Sequence, residues 1–494
     1  MVNLNDFDSH STSMAWRFDN TFARLPDIFF ATAQPAQVRS PRLAIVNKAL
    51  AAKLGLNLDA ISPQAAADVF AGQELPPGCH PLAQAYAGHQ FGGFTMLGDG
   101  RAILLGEHQT PSGQRVDIQL KGAGKTRFSR GGDGRAALGP MLREYVISEA
   151  LAALGIPTTR SLAVVTTGEP VYRAAALPGA ILTRVAASHI RVGTFEYLAA
   201  RQDNANLRVL ADYTIDRHYP QVAGAPQKYL EFFRAVSDRQ ASLIAQWQSV
   251  GFIHGVMNTD NMAISGETID YGPCAFMNAY HPNTVFSSID RGGRYAYGNQ
   301  PSIAHWNLAR FAEALLPLLD SDQQQAVASV SEVLNQYPAM FEQYWLAGMR
   351  KKLGLQTNEE GDTGLIQSLL DWMEQSHADF TNTFRALASG EMPACDPGQR
   401  PSFLDWQARW RLRLGRETLS KISARELMLA VNPAVIPRNH RVEESLSAAE
   451  EHGDLSLVHR LLEVLASPFE ETANSAPYQE PSPDDGNYQT FCGT

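Results

Sequence analysis

The chain has 494 residues, with 41 Lys and Arg against 51 Asp and Glu, so its formal net charge is −10. This acidic balance argues against a general nucleic-acid binder, which is usually basic. No apolar run approaches the ~20 residues that a membrane helix needs, and the first residues lack the basic start and apolar core of a signal sequence. We therefore expect a protein with a large core and with no nucleic-acid or membrane partner. It is expected to be cytoplasmic, or organellar after removal of a segment not seen here, and a monomer is expected.

The first part of the chain is expected to form an N-terminal extension over residues 1–80, ended by a break at Leu75-Pro76-Pro77-Gly78. A Gly-rich β-hairpin is predicted next. Its two β-like runs, residues 94–97 and 101–105, are joined by the turn-prone segment Gly98-Asp99-Gly100.

A strand, a helix and more strands are predicted to follow this hairpin. Apolar residues at positions 116, 118 and 120 alternate with polar ones, which predicts a strand ending in Lys121 on its polar face. A helix is predicted over residues 140–154, with Pro140 in its first turn and Gly155 just past its end. Further short strands are predicted at 161–166, 171–173 and 180–185. This order is typical of the small lobe of a protein kinase.

The rest of the chain is predicted to be mainly helical. Long helical patterns occupy residues 229–250, 305–319 and 322–352. A second tight hairpin is predicted from residues 261–264 to residues 268–270. Residues 467–490 carry many Pro, Ser, Asp and Glu residues, which favours an extended tail.

Two short stretches resemble a kinase active site with one residue missing. Residues 254–261 read His-Gly-Val-Met-Asn-Thr-Asp-Asn, and residues 270–272 read Asp-Tyr-Gly. Protein kinases use H-R-D-x-x-x-x-N followed by D-F-G. Asn261 falls at the Asn position of that motif, but Val256 stands where the catalytic Asp is expected. The usual base is therefore absent, which indicates chemistry other than ordinary phosphorylation.

The carboxylate and amide side chains of Asp260, Asn261 and Asp270 predict a general base and a metal site. Asp260 is the only carboxylate in the stretch, so it is the candidate base. Asn261 and Asp270 offer the oxygen ligands that Mg²⁺ prefers. The alternative for this cluster is a simple polar turn, since Asn-Thr-Asp-Asn is turn-prone.

Lys121 is a candidate ligand for nucleotide phosphates, and Glu144 is its candidate partner. Glu144 shares a helix face with Ile147, Leu151 and Leu154. A carboxylate on an apolar stripe needs a cationic partner, because burying it alone costs several kcal/mol. Kinases pair a strand Lys with a helix Glu in this way. The alternative for Lys121 alone is a surface lysine on an exposed strand face.

Two Gly-rich stretches, residues 98–101 and 122–135, flank the strand that ends in Lys121. Glycine lets backbone N–H groups approach phosphate oxygens closely. Local positive charge comes from Arg101, Arg127, Arg130, Arg135, Arg184 and Arg191. The run Gly124-Lys125-Thr126 is a near miss to a P-loop, because Gln119 stands where that motif needs its first Gly.

From about residue 80 to its end, the sequence resembles the selenoprotein O family, the YdiU-type pseudokinases. Long motifs carry this resemblance, namely Tyr86–Gly92, His254–Asn261, Ser288–Pro301 and Asn432-Pro433 with Arg438-Asn439. The resemblance implies an α+β, protein-kinase-like, two-lobed fold that binds ATP inverted relative to ordinary kinases. Its small lobe would span residues 81–187, its large lobe residues 188–466, and its C-terminal tail residues 467–494.

The resemblance further implies a protein adenylyltransferase. This enzyme would transfer AMP from ATP to Ser, Thr or Tyr hydroxyls of proteins and release pyrophosphate, with UTP and Mn²⁺ as a second nucleotide and metal. Asp260 would accept the proton, and Asn261 and Asp270 would hold Mg²⁺ or Mn²⁺. The expected nucleotide-binding residues are Gly98, Gly100, Arg101, Lys121 with its partner Glu144, Asp133, Gly134, Arg184, Arg191 and Asp270.

The four cysteines are scattered, so they indicate neither a zinc site nor a disulfide scaffold. Some family members carry selenocysteine third from the end, where this chain has Cys492. By this resemblance a transient regulatory disulfide between Cys274 and Cys492 is expected, and the alternative is two unrelated cysteines.

Two rival functions stay open from the sequence alone. One is a protein or small-molecule kinase with a relocated base. The other is an inactive, nucleotide-binding pseudokinase that serves as a binding module.

Overall fold

The computed structural model of the chain describes residues 14–417, 423–482 and 488–491. Its strands are β1 (Phe30–Thr32), β2 (Arg42–Val46), β3 (Leu82–Gln84), β4 (Ala87–Gln90), β5 (Gly93–Met96), β6 (Ala102–Gln109), β7 (Arg115–Lys121), β8 (Ala136–Ala137), β9 (Arg160–Tyr172), β10 (Ala176–Ala186), β11 (Phe252–Ile253) and β12 (Ala275–Phe276).

The helices begin with α1 (Lys48–Leu54), α2 (Pro63–Phe70), α3 (Leu138–Ala153), α4 (Val192–Ala199), α5 (Asn204–His218), α6 (Lys228–Val250) and α7 (Gln300–Leu319). They continue with α8 (Gln323–Lys352), α9 (Asp362–Ser376), α10 (Phe380–Ser389), α11 (Arg400–Leu414), α12 (Ala424–Val431), α13 (Asn439–His452) and α14 (Ser456–Leu465). The mixture confirms the predicted α+β class. No helix in the described ranges combines the length and apolar character that a bilayer span requires.

The chain divides into two compact units. The first contains residues 1–84, 99–141 and 161–187, and the second contains residues 85–98, 142–160 and 188–494.

The first unit is built on one antiparallel sheet. Its strand order is β1-β3-β6-β7-β10-β9-β2, and β8 pairs with β10. The predicted strand at residues 116–121 is confirmed as β7, and its Ile118 and Leu120 are fully buried. They lie in a hydrophobic core with residues of β6 and β10 and of helices α1 and α2. The sheet thus fixes Lys121 at the end of a central strand.

The predicted hairpin between residues 94–97 and 101–105 is wrong. β5 pairs instead with β4, in the register Gly88↔Thr95, and β6 pairs with β3 and β7. Gln90 pairs with Gly93, so Phe91 and Gly92 form a two-residue turn. Both have the positive φ that such a turn requires, and it closes a tighter hairpin than residues 98–100 would. The predicted strands at 161–166 and 171–173 are parts of one continuous strand, β9.

The second unit is mainly helical, and its helices agree with the sequence pattern. The predicted helices at 229–250, 305–319 and 322–352 are confirmed as α6, α7 and α8. The helix predicted over 140–154 is confirmed as α3, most of which belongs to this unit. A core cluster of buried residues joins the β11–β12 pair to helices α8 to α12.

The second predicted hairpin, from 261–264 to 268–270, is also wrong. A turn does close at Gly266, whose N–H donates to the carbonyl of Ala263. The two flanking segments then pair elsewhere, because Ala263 bridges Arg191 and Thr268 bridges Thr158. These bridges join the residues before Asp270 to other parts of the second unit.

The described part of the tail packs against the second unit. The Thr490 N–H donates to the Phe286 carbonyl at 2.8 Å, and the Ser288 N–H donates to the Thr490 carbonyl at 3.0 Å. Thr490 Oγ1 also donates to the carbonyl of Pro273 at 2.7 Å. The tail therefore ends its described course beside the segment that follows Asp270.

Candidate active site

The catalytic-type loop, residues 254–261, follows the short strand β11. Its first residue is structural. His254 is fully buried, stacks on Trp247, and places its Nε2 atom 2.8 Å from the carbonyl oxygen of Ile269. Burial lowers the pKa of His254, which keeps the ring neutral. This contact ties the start of the loop to the residue before Asp270.

The middle of the loop is held by side chains from distant segments. Asn258 Oδ1 accepts hydrogen bonds from the Phe91 N–H at 3.1 Å and from the Tyr295 hydroxyl at 2.6 Å. Thr259 Oγ1 accepts from the His89 N–H at 2.7 Å and donates to Glu196 at 2.5 Å. These bonds fix the two residues that precede the candidate base.

Only one of the two carboxylate oxygens of Asp260 accepts a hydrogen bond from a described side chain. Oδ2 accepts a hydrogen bond of 3.3 Å from Gln90, whereas the buried Oδ1 accepts none from any described residue. Burial raises the pKa of Asp260 to about 6, against the opposing effect of the nearby Arg191. A carboxylate with an uncommitted oxygen and a pKa close to neutral is suited to accept a proton.

Two glycines make room for this carboxylate. A Cβ atom on Gly88 would lie 2.3 Å from Asp260 Oδ1. A Cβ atom on Gly193, in the first turn of α4, would lie 2.0 Å from the carbonyl oxygen of Ala87. Strand β4 and helix α4 can approach the loop this closely only because both positions lack a side chain.

Arg191 links the candidate base to the candidate metal ligand. Its guanidinium donates to the main-chain carbonyl of Asp260 at 3.0 Å and to the Asp270 carboxylate at 2.9 Å. It also lies over the ring of Tyr86, 4.5 Å from the centroid. Arg191 is buried, so these contacts fix its position. The structure thus brings together three predicted site residues, Arg191, Asp260 and Asp270.

Asn261 and Asp270 carry oxygen donors of the kind that a divalent cation prefers, and other oxygen ligands would have to complete its coordination. The Asn261 amide nitrogen donates to the Val256 carbonyl at 2.9 Å, so the amide oxygen takes no part in that bond. Asp270 has a positive φ of 64°, a strained conformation that often marks functional residues. In the described ranges no group of three or more His, Cys, Asp or Glu residues could hold a metal. Mg²⁺ commonly uses one or two protein carboxylates together with substrate phosphates.

The first unit contains most of the predicted nucleotide-binding residues. Lys121 ends β7 and is buried, and the buried Arg184 on β10 donates to Gln119 on β7 at 3.3 Å. Glu144, its predicted partner, is buried on α3 in the second unit. The ion pair between Lys121 and Glu144 stays a prediction.

The predicted loop residues lie in irregular segments between strands. Gly98, Gly100 and Arg101 lie between β5 and β6, and Asp133 and Gly134 precede β8. Asp133 is exposed, and its ion pair with Arg173, at 2.8 Å, lowers its pKa. No helix follows Gly124-Lys125-Thr126, since the next helix is α3, so this stretch lacks the geometry of a P-loop.

Several residues of this site were missed by the sequence analysis. Gly88, His89 and Gln90 lie in a motif that marked the family resemblance, but no role could be assigned to them. Glu196 lies on a helix with no motif around it, so no signal in the sequence pointed to it. The Arg438 motif is structural, because this buried side chain binds Asn278 and Asp379 in the second unit.

Comparison with known proteins identifies the family of this chain. A sequence model of the family described as "Protein adenylyltransferase SelO" matches residues 12–466. A protein named "Protein nucleotidyltransferase YdiU" from Geobacillus kaustophilus is 60% identical over 480 residues, covering 97% of this chain and 99% of the relative. Proteins of the same name from Nitrosococcus oceani and Syntrophotalea carbinolica are 58% and 56% identical, over 97% and 99% of this chain and 98% and 99% of the relatives. This chain therefore belongs to the SelO family of protein adenylyltransferases.

Proposed function

We propose that this protein transfers AMP from ATP to the hydroxyl groups of Ser, Thr or Tyr residues in other proteins and releases pyrophosphate. Family membership supports the nucleotidyltransferase activity. The observation in the structure that carries the proposal is the buried Asp260 carboxylate. It has one uncommitted oxygen, and it lies in a loop whose usual base position is occupied by Val256.

Asp260 is proposed as the general base. With a pKa of about 6 it is mostly ionised near neutral pH, yet basic enough to accept a proton in the transition state. The acceptor hydroxyl loses its proton to Asp260 Oδ1 as its oxygen attacks the α-phosphorus. A phosphorus–oxygen bond forms, the bond from the α-phosphorus to the bridging oxygen breaks, and pyrophosphate leaves.

Asn261 and Asp270 are proposed to hold Mg²⁺ or Mn²⁺. When bound, the metal would neutralise charge on the phosphates. Arg191 supports this role of Asp270, because its guanidinium orients one carboxylate oxygen. The remaining contribution of the protein would be positioning and electrostatic stabilisation, as in other phosphoryl and nucleotidyl transfers.

The nucleotide-binding roles are proposed from the family resemblance. Lys121, Arg184 and Arg191 would contact phosphates, and Lys121 would pair with Glu144. The loop residues Gly98, Gly100, Arg101, Asp133 and Gly134 would contact the nucleotide. The fold would be of the two-lobed kinase type, with the lobes at residues 81–187 and 188–466, and the enzyme would act as a cytoplasmic monomer.

Labelled nucleotides test the proposed reaction. ATP labelled at the α-phosphate should transfer its label covalently to protein, and ATP labelled at the γ-phosphate should not. Transfer of the γ-label with ADP as by-product would establish a kinase instead. Absence of both products, with nucleotide still bound, would establish a binding module. The same assay with UTP and Mn²⁺ decides whether UMP is also transferred.

A redox control through Cys274 is proposed as a second property. Cys274 is buried, and the carbonyl of the preceding residue, Pro273, accepts the hydrogen bond from Thr490. Cys492 lies outside the described residues. The docking of Thr490 supports a disulfide, since it brings the tail to the main chain beside Cys274. Peptide mapping without reduction should find the 274–492 cross-link after mild oxidation, and Cys492→Ser should remove the redox response of the activity.

A further inference from the structure

The β4–β5 hairpin exposes much apolar surface for its length. Phe91, Phe94 and Met96 are 40%, 44% and 40% exposed. Twelve large hydrophobic side chains are exposed in the described ranges, and these three fall within six consecutive positions. Single exposed apolar residues need no explanation, but a cluster of them marks an interaction surface.

Aromatic and arginine side chains surround this exposed surface. The Phe91 ring packs edge-on against Tyr295, with centroids 5.1 Å apart. The Arg294 guanidinium lies 4.8 Å from the ring centroid of Trp306, which is half-buried. We call Phe91, Phe94, Met96, Arg294 and Trp306 the hairpin patch. Its composition is that of binding hot spots, which are rich in aromatic residues, Met and Arg.

The hairpin also offers an open backbone edge. The Leu97 N–H donates to the Tyr86 carbonyl at 3.0 Å. Along an antiparallel ladder, residue pairs that exchange backbone hydrogen bonds alternate with pairs that exchange none. In the observed register the backbone groups of Phe94 and Met96 therefore point away from β4. The sheet contains only β4 and β5 in the described part of the chain, so β5 is an edge strand. Such an edge can pair with an extended segment of another protein.

The other edge of the same hairpin contacts the loop of the candidate base. The N–H groups of His89 and Phe91 donate to Thr259 and Asn258, which precede Asp260. Gln90 donates directly to the Asp260 carboxylate. A segment bound at β5 is thus separated from the base loop by only two strands, which are spaced about 5 Å apart.

We propose that the hairpin patch is the docking site for the acceptor protein. An extended acceptor segment pairs with the open edge of β5, packs an apolar side chain on Phe94 and Met96, and places a carboxylate on Arg294. This inference rests on the proposed function, because only a protein acceptor must reach Asp260. Arg294 gives the patch a local positive charge, so a segment that is both acidic and apolar fits it.

The test uses peptides of about ten residues that carry one serine beside leucine, with flanking Asp in one series and flanking Lys in the other. Phe94→Ser with Met96→Ser should raise the KM for the acidic peptide by about tenfold and leave the KM for ATP unchanged, as expected for loss of a binding hot spot. The matched control is Leu404→Ser with Leu412→Ser, which removes two side chains of α11 that are 53% and 70% exposed. This control should behave as the wild type.

A binding measurement separates this inference from the proposed reaction. Peptides with Ala in place of the serine cannot react, and fluorescence anisotropy measures their affinity directly. The acidic peptide should bind the wild type more tightly than the basic one, and Arg294→Glu should reverse that order. Equal binding by the wild type and the Phe94→Ser, Met96→Ser variant overturns the inference, even where label transfer occurs. Selective binding without any nucleotidyl transfer supports the docking site and contradicts the proposed function.

A measurement of self-association also tests this inference. Sedimentation of the wild type as a monomer supports an acceptor-binding patch. A dimer that the Phe94→Ser, Met96→Ser variant converts to monomer would assign the patch to contacts between copies, and would overturn the inference.

Discussion

Residues 254–261 and residues 122–135 both contain predicted site residues, but they are held in different ways. In the first loop, side-chain bonds reach segments far away in sequence, such as Thr259 to Glu196 and Asn258 to Tyr295. In the second loop the cited side-chain bonds span fewer positions. Thr126 donates to the Asp99 carbonyl, 27 positions away, and the Arg135 N–H donates to the Asp133 carboxylate, two positions away.

Burial explains the difference between the two loops. Asn258, Thr259 and Asp260 are all buried, and buried polar groups need hydrogen-bond partners within the protein. Asp133 is exposed, so water can satisfy it and the loop can adjust to a ligand. We therefore expect residues 254–261 to form a rigid support for the proposed reacting groups and residues 122–135 to form a more adaptable loop. Substitutions should therefore have much larger effects on turnover in the first loop than in the second.

The largest loss of turnover is expected from substitution of the proposed metal ligand Asn261. Asn261→Ala should lower turnover by about a thousandfold or more, because metal neutralisation of developing charge is worth several kcal/mol and each ~1.4 kcal/mol is a factor of ten in rate. The exposed Asn283→Ala is the control and should retain full activity. Label transfer and thermal unfolding should be measured together. A normally folded Asn261→Ala protein with normal turnover would contradict the metal assignment.

The second-largest loss of turnover is expected from substitution of Asp260. Asp260→Ala should lower kcat by about a hundredfold or more and change the affinity for ATP little, because a base acts mainly in the transition state. The carboxylate must be ionised to accept a proton, so the wild-type rate should rise with pH through about pH 6 and then level off. The variant should lose that rise. Calorimetric titration with ATP beside a pH–rate profile checks both points, and poor ATP binding with normal kcat would refute the base role.

Strand β4 lies so close to Asp260 that one added methyl group at Gly88 should lower kcat about as much as Asp260→Ala does. Gly88→Ala would place a Cβ atom 2.3 Å from Asp260 Oδ1 and should lower kcat by about a hundredfold through displacement of the base. Gly93→Ala in the same hairpin is the matched control, since its Cβ atom would lie 3.5 Å from the nearest atom, the Gln90 carbonyl oxygen. Label transfer by the two variants decides the prediction. Equal activity of both would show that the hairpin moves freely away from the base.

Substitution of Glu196 should lower kcat less, because Glu196 affects the candidate base through Thr259. Burial raises the pKa of Glu196, and its hydrogen bonds with Thr259 and His89 oppose that shift. Glu196→Gln replaces an acceptor oxygen by an N–H donor and should lower kcat by about tenfold, as for other partners that orient a functional group. The KM for ATP should not change.

Substitutions at Thr259 provide the control for this effect. Thr259→Ser keeps the hydroxyl and should retain activity, whereas Thr259→Val should match Glu196→Gln. A loss that appears only in the KM for ATP would contradict a positioning role.

The sequence predicted the local parts of this molecule well and the distant contacts poorly. Strand β7 and helices α6 and α8 follow from periodicity. Asn261 and Asp270 are predicted from their positions in a motif, and Asp260 is predicted as the only carboxylate in residues 254–261. Both hairpin errors arose because a turn sequence indicates where the chain reverses but not which strand becomes the partner. Glu196 was missed for a similar reason, since its contact with Thr259 joins residues 63 positions apart.

The smallest effect is expected at Asp133, in the adaptable loop. Asp133→Asn keeps an oxygen that can accept from the Arg135 N–H and removes only the charge that pairs with Arg173. Because exposed ion pairs contribute about 0–1 kcal/mol, the KM for ATP should change by about fivefold at most and kcat should stay as it is.

Arg173→Gln tests the same ion pair from its other side. It should give a change of similar size, and the double variant should be no worse than either single one, since both remove one interaction. Steady-state kinetics of the three variants measure this coupling. A large loss of kcat in Asp133→Asn would mean that residues 122–135 are as rigidly built as residues 254–261, because an adaptable loop would absorb the loss of one exposed charge.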